Sequence, residues 1–317
     1  MTVVAAPATA ASAFEHEGYF YRGEAEFVGG VAAFVRAGLE LDETVVVAEP
    51  PAALLLLREA LGPDAADVTW LDMAEIGGNP ARIIGVWATA LDRAVAGGHT
   101  LRGVGEPAFG GRRGPELAEC ELHERLLNMA FADGPPWRLL CPYDQEHLPA
   151  AVCASALTTH PVHSTLSGRA LSEGWTGADC LTAFGARLPT PTGVVLRGEY
   201  RADDVRSVRR TVAAWARSCG LPAGRVEDLE LAATELTTNS IRHGGGSGRL
   251  ALWVEDDAAV AEFTDRGQVR DPLIGRRAPS PEQEGGRGLY LVNQLCDLVQ
   301  LRSSPAGTTV RVLTWLD

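Results

Sequence analysis

The chain changes rhythm once, near residue 190, and that change limits the folds open to it. From Glu24 to about Leu157, short β-rich runs alternate with stretches of helical period. Phe27, Val31, Phe34 and Val35 share one face of a helix. Strands are expected at Thr44–Ala48, Val68–Leu71, Leu101–Val104 and Trp137–Cys141. Helices are expected after Pro50-Pro51, from Asn79-Pro80, over about Glu116–Ala132 and after Pro149. Such alternation reads as an α/β layered domain around a parallel sheet. Beyond Val194 the order becomes strand, two helices, two strands, a polar loop, a helix and two strands. Helices grouped against a mostly antiparallel sheet read as an α+β two-layer sandwich. Between these lies a weakly patterned stretch ending in LPTPTG, read as a connector. The expected organisation is a first domain over 14–163, a connector over 164–191 and a second domain over 192–317.

A chain of 317 residues, 46% hydrophobic, is long enough for two cores and too apolar to be a disordered tail. It contains no run of the ~18 apolar residues that a membrane span needs. No basic residue precedes Arg22, so a secretory n-region is missing and a cytoplasmic location without membrane attachment is expected. Six cysteines stand without a CxxC and without Cys/His pairs at zinc spacing. They are expected to be free, mostly buried thiols.

The basic residues are all arginine: 28 of them, and no lysine. That excludes a P-loop NTPase, a protein kinase of the usual fold and Schiff-base or PLP chemistry, each of which requires a lysine amine. Residues 1–189 carry 12 arginines against 24 acids, and residues 190–317 carry 16 against 17. The acidic first part argues against nucleic-acid binding. The near-neutral second part is the better place for an anionic ligand.

Four short patterns there carry chemistry. In ELTTNSIRH, Glu235, Asn239 and His243 fall at i, i+4 and i+8 on one helix face. A carboxylate one turn from an amide divides labour: the first orients or deprotonates a nucleophile, the second ligates Mg²⁺. Asp265-Arg-Gly267 ends a strand, where the glycine lets a flat ligand approach the backbone. Gly285-Gly286-Arg287-Gly288 opens a helix whose free N–H groups can hold phosphates. Gly307-Thr308-Thr309 starts the last strand. Each alone is a turn or a solvated helix face; their order and spacing make the signal.

That order resembles the Bergerat-fold ATPases, the histidine kinases among them. Within this group, ELTTNSIRHG followed by a GRGLYLV helix looks most like the anti-sigma-factor serine kinases and their actinobacterial relatives. The resemblance covers about Thr192–Asp317 and implies ATP and Mg²⁺ as cofactors. It implies Glu235 as general base and Asn239 as Mg²⁺ ligand, and Asp265, with Gly267 beside it, as partner of the adenine amino group. Gly286 and Gly288, with Gly285 just before them, would close a lid over the phosphates. Thr308 would join the adenine water network, and Arg242 or His243 would meet phosphate. One departure stands out: a second glycine is usual two residues after Gly267, and Val269 occupies that position.

The first part resembles the MEDS (methanogen/methylotroph sensory) domain over about Phe14–His163, through HEGYFYRGEAEFV, VGEPAFGGR, the NMAF segment and LLCPYDQEHLP. That family is thought to sense small hydrocarbon-like molecules. His16, Glu106, Cys141 and Tyr143 are the corresponding candidates here, with a His and a Cys on the rim of the sheet gating a small effector. A buried thiol beside a surface His is the bland alternative.

Together the resemblances imply a signalling protein whose sensory domain controls an ATP-binding module. The module would phosphorylate Ser or Thr of an anti-sigma antagonist. Alternatives are a non-catalytic, ATP-dependent module that sequesters a sigma factor or antagonist, and a sensor histidine kinase-like protein. The last needs a phosphoacceptor His on a dimerising hairpin. His123-Glu124 looks superficially similar but reads as an exposed polar pair on a core helix. Homodimers are usual for the ATPase family.

Overall fold

The computed structural model describes residues 14–177, 180–193, 195–279 and 286–316. They form two compact units. The first is made by described residues within Met1–Asp72, Thr89–Gly110 and Leu127–Gly177, the second by those within Met73–Ala88, Gly111–Leu126 and Ala178–Asp317.

In chain order the first elements are β1 (Phe14–Tyr21), α1 (Gly23–Glu40), β2 (Thr44–Glu49), α2 (Pro51–Leu61), β3 (Val68–Asp72), α3 (Met73–Ile76) and α4 (Ile83–Ala96). There follow β4 (Leu101–Gly105), α5 (Gly114–Ala130), β5 (Trp137–Asp144), α6 (Ala150–Thr159), β6 (Val162–Thr165) and β7 (Gly168–Leu171). The sheet of the first unit runs β3-β2-β4-β5-β1-β6-β7 and is parallel except for the β6/β7 pair. Period-two alternation sends Tyr19, Tyr21, Val45, Val47, Val104 and Leu140 to one face, where they pack on Phe27, Val31 and Val35 of α1 and Leu54, Leu57 and Leu61 of α2. The opposite alternates of β1 and β5 are also buried: Phe14, His16, Phe20, Trp137, Leu139, Cys141 and Tyr143. Burial on both faces explains why the central strands read as continuous rather than alternating apolar runs.

The central strand β1 was not among the expected strands. Glu15, His16 and Glu17 interrupt its apolar pattern. Structure accounts for both acids: Arg169 of β7 bonds Glu15 at 3.1 Å and Glu17 at 2.5 Å. The stretch 164–191 includes β7 and, in the second unit, α7 (Cys180–Gly185). The residues of β7 are exposed throughout, which leaves no hydrophobic period to read.

The second unit continues with β8 (Leu196–Arg201), α8 (Val205–Ser218), α9 (Ala223–His243), β9 (Ser247–Glu255), β10 (Ala258–Asp265), α10 (Arg287–Leu295), β11 (Leu298–Ser304) and β12 (Gly307–Trp315). Its sheet is antiparallel throughout, in the order β11-β12-β10-β9-β8. Trp253, Ala258, Val260, Leu298 and Leu313 form a core on one face. On the other, α9 packs against β9 and β10, and α8 against α9, β8 and β9. The tight β9–β10 turn places Asp256 at φ 51°. Gly245 and Gly246, at φ 89° and 83°, carry the chain out of α9 into β9, a conformation an L side chain resists. Among the described residues, no helix is long and apolar enough to cross a membrane.

Candidate functional site

The carboxyl-terminal half of α9 carries Glu235 and Asn239 one turn apart, both half-buried. Among the described residues neither side chain makes a hydrogen bond. The amino end of α10 comes directly against them. A Cβ built on Gly288 would collide with Oε2 of Glu235 and lie 3.5 Å from Nδ2 of Asn239. Only a glycine backbone approaches this pair so closely, and it does so in the first turn of a nine-residue helix whose free N–H groups favour an anion. Gly286, the residue before α10, adopts a left-handed φ of 79°. Gly285 lies outside the described residues.

Asp265 ends β10 with both carboxylate oxygens engaged. Ser240 Oγ donates to Oδ2 at 2.7 Å, and the Gly267 N–H donates to Oδ1 at 2.8 Å. Buried Tyr200 of β8 donates in turn to Ser240 Oγ at 2.9 Å. Burial, countered in part by that bond, pushes the Tyr200 hydroxyl up to about 12. Thr308 of β12 donates to the Gly267 carbonyl at 2.8 Å and sits 2.8 Å from Ser303 Oγ. Ser303 Oγ accepts from Val269 N–H at 2.8 Å. A polar chain therefore runs Tyr200–Ser240–Asp265–Gly267–Thr308–Ser303–Val269. It fixes the carboxylate's rotamer while leaving each oxygen a further lone pair. Tyr200, Ser240 and Ser303 were absent from the candidates; Ser240 adjoins Asn239, but nothing in the local pattern distinguished it.

Glycines admit this arrangement too. A Cβ on Gly244 would overlap the Asp265 side chain, and one on Gly267 would overlap the His243 carbonyl. Val269 has no left-handed φ, so its backbone does not demand the glycine expected there. Arg242 and His243 project into solvent at the end of α9.

The far end of α10 is held by residues distant in sequence. Arg82 donates to the carbonyls of Asn293 at 2.7 Å and of Gln294 and Cys296 at 2.9 Å each. Asn79 donates to the Asn293 carbonyl at 3.1 Å, and Arg225 of α9 to that of Leu295 at 3.2 Å. These are the carbonyls a helix leaves unpaired at its end, and the cations complement its negative pole. Asn293 Nδ2 donates to the Gly275 carbonyl at 2.9 Å, tying the loop after β10 to the same helix.

Residues 199–314 match the histidine kinase-like ATPase domain family, and residues 15–161 match MEDS, the methanogen/methylotroph, DcmR sensory domain. The serine-protein kinase RsbW of Halalkalibacterium halodurans is 29% identical over 128 residues, covering 37% of this chain and 79% of the relative. RsbW of Bacillus subtilis is 27% identical over 124 residues, 35% of this chain and 77% of the relative. A solved structure of the RsbU and RsbW domains of Rv1364c from Mycobacterium tuberculosis is 22% identical, with a TM-score of 0.30, over 41% of this chain and 33% of that one.

The chain joins a MEDS domain to a histidine kinase-like ATPase domain. Within the ATPase domain the chain is similar to the serine-protein kinases RsbW.

The MEDS-domain candidates separate in space. His16 and Cys141 face each other from β1 and β5, Nε2 to Sγ 3.4 Å, and both are buried. Neither the rim position nor the surface His of the sequence reading holds: both residues lie within strands, under helices. Tyr143 shares their sheet face and meets the His160 ring edge-on at 5.5 Å. Glu106 belongs elsewhere, just beyond the carboxyl end of β4, where Tyr21 Oη donates to its Oε1 at 3.2 Å. Burial pushes the Glu106 carboxyl up to about 7. Burial and the neighbouring Glu106 carboxylate push fully buried Glu49 well above the usual range. In α5, His123 and Glu124 are each 1% exposed rather than solvated, so the imidazole is not presented as a phosphoacceptor. All six cysteines are free thiols, four of them buried.

Proposed function

We propose that the ATPase domain binds Mg-ATP between α9, the amino end of α10 and the Asp265 turn, and phosphorylates a Ser or Thr of a partner protein. The approach of Gly288 to Glu235 and Asn239 carries this reading: it brings a carboxylate, an amide and a helix amino end to one place. The residues fit the ligand. Asp265, held by Ser240 and Gly267, offers an acceptor to an adenine amino group. Thr308 lies one hydrogen bond from that turn. The glycine-lined cradle at Gly244, Gly267 and Gly288 would be filled by any side chain. Asn239 Oδ1 offers Mg²⁺ a hard oxygen ligand, and the bound ion would supply part of the phosphate charge neutralisation that a lysine gives in other nucleotide sites. Glu235 orients the partner's hydroxyl and accepts its proton as the phosphoryl group moves in line.

The partner class that fits the family is an anti-sigma antagonist, with a sigma factor as the target of release. The MEDS domain supplies control through a small-molecule effector. Asn79 and Arg82 lie in the stretch matched by the MEDS family yet belong to the unit that holds the nucleotide site, which supports that control.

Calorimetric titration of Mg-ATP into wild type, Asn239→Ala and Glu235→Ala tests the reading, followed by transfer assays with candidate antagonists. Magnesium-dependent binding is expected in wild type and lost in Asn239→Ala. Glu235→Ala is expected to bind ATP and to lose transfer. Continued transfer by Glu235→Ala would overturn the base assignment, and ATP binding without transfer in wild type would leave a docking module.

A further inference from the structure

The MEDS domain contains a side-chain cluster that the nucleotide reading does not use. His16 of β1, Cys141 of β5 and His160, the residue after α6, are 1%, 1% and 0% exposed. Each offers a ligand atom, and these atoms lie within 4.8 Å of one another. The His16 and His160 ring centroids are 4.1 Å apart. We propose that these three side chains form a binding site for a borderline-soft divalent transition-metal ion, with Zn²⁺ the expected occupant.

The hydrogen bonds around the imidazoles set their tautomers. Asn128 Nδ2 donates to the Thr159 carbonyl at 2.8 Å, which turns its Oδ1 toward His16 Nδ1 at 3.1 Å. That oxygen can only accept, so His16 Nδ1 carries the hydrogen. His160 Nδ1 faces the Ala156 carbonyl, which can only accept, and Thr159 Oγ1, each at 2.9 Å; Thr159 Oγ1 gives its own hydrogen to the Ala156 carbonyl at 3.1 Å and so accepts from the ring. Both rings therefore keep the lone pair on Nε2. A metal-bound histidine commonly shows this arrangement, with its other ring N–H given to a carbonyl or amide oxygen.

Distance and donor type agree. Zn–N near 2.05 Å and Zn–S near 2.3 Å set tetrahedral N···S edges of about 3.5 Å. The His16 Nε2 to Cys141 Sγ separation is 3.4 Å. Gly18, in register with Cys141, makes room for the second ring: a Cβ there would lie 3.3 Å from His160 Cγ. Two imidazoles and a thiolate select Zn²⁺, Co²⁺ or copper over Mg²⁺, so this ion is chemically separate from the one implied for ATP. Binding replaces the thiol S–H by an S–metal bond and releases one proton to solvent. The fourth position is left to a carboxylate, water or a small exogenous ligand, and the last would give the domain a chemical handle on its effector.

Cobalt titration of the nucleotide-free, EDTA-treated full chain tests the site. Wild type is expected to take up one Co²⁺ per chain with a thiolate-to-cobalt charge-transfer band in the near ultraviolet, displaced by Zn²⁺. Cys141→Ser is expected to lose the band, and His160→Gln to weaken binding at least tenfold, with folding checked by circular dichroism. A second readout covers a variant that fails to fold: Zn²⁺ is expected to protect Cys141 of wild type from alkylation, read by peptide mapping. Absence of the band and of protection in folded wild type, or a band retained by Cys141→Ser, would overturn the proposal.

Discussion

Arg82 reaches the backbone carbonyl of Asn293, 211 residues away, at 2.7 Å and caps the helix whose other end lies against Glu235. A nine-residue helix spans roughly 13 Å and is stiff on that scale. Displacing its capped end therefore moves Gly288 relative to Glu235 and Asn239. The burial that lowers the Arg82 guanidinium's pKa also makes its removal costly, because the carbonyls of Asn293, Gln294 and Cys296 lose a shared donor.

Arg82→Ala is accordingly expected to destabilise the second unit by about 1–3 kcal/mol and to weaken Mg-ATP binding several-fold. Denaturant unfolding and calorimetry on the full chain check both. Unchanged affinity in a destabilised variant would show that the cap is structural only.

Gly288→Ala places a methyl group on the Glu235 carboxylate. The first turn of α10 is only partly buried, so the fold is expected to survive while phosphoryl transfer falls at least tenfold. A double-mutant cycle with Glu235→Ala separates direct contact from general disturbance. Strict additivity of the two substitutions would count against the contact.

Ser240→Ala removes the donor to Asp265 Oδ2 and the acceptor of the Tyr200 hydroxyl together. An orphaned buried phenol costs about 1–3 kcal/mol, and a loosened Asp265 costs adenine affinity. Tyr200→Phe takes away only the outer bond and is expected to cost less on both counts. Equal losses in binding would mean that Ser240 does not hold the carboxylate.

Burial disfavours the charge of the Glu106 carboxyl in the folded state and pushes it up to about 7. A raised folded pKa means that the native state holds a proton the unfolded chain has released. Stability is then full below the ordinary carboxylate range and falls as pH rises through about 7. A shift of this size is on the order of 3 kcal/mol. Glu49 acts in the same direction. The opening free energy read from amide exchange in β2 and β4, after correction for the base-catalysed intrinsic rates, is expected to be smaller at about pH 8 than at about pH 5.5. Glu106→Gln is expected to flatten that difference, and an unchanged pH dependence in this variant would exclude the carboxyl as its source.

Much of this was legible in the residues because it is local. The run from Glu235 to Gly246 announces a helix that ends at glycines, and the spacing of Glu235 and Asn239 fixes their common face before any partner is known. The two change-of-rhythm halves follow from periods of two and 3.6, which depend on backbone geometry within a few residues. β1 was missed because Glu15, His16 and Glu17 break its apolar run, and their partners lie across the sheet.

Tertiary structure alone decided which distant groups meet. His16, Cys141 and His160 are separated by 125 and 19 positions, and only the β5-β1-β6 order and its register bring them together. Register likewise sends Cys141 and Tyr143 to one face of the sheet and Tyr21, with Glu106, to another place. Ser240 looks like any helix serine until β10 sets Asp265 beside it, and Arg82 like any surface arginine until α10 ends against it. Secondary structure and motif chemistry are written in short-range dihedral and spacing preferences. Strand order, register and burial emerge only when the whole chain has packed.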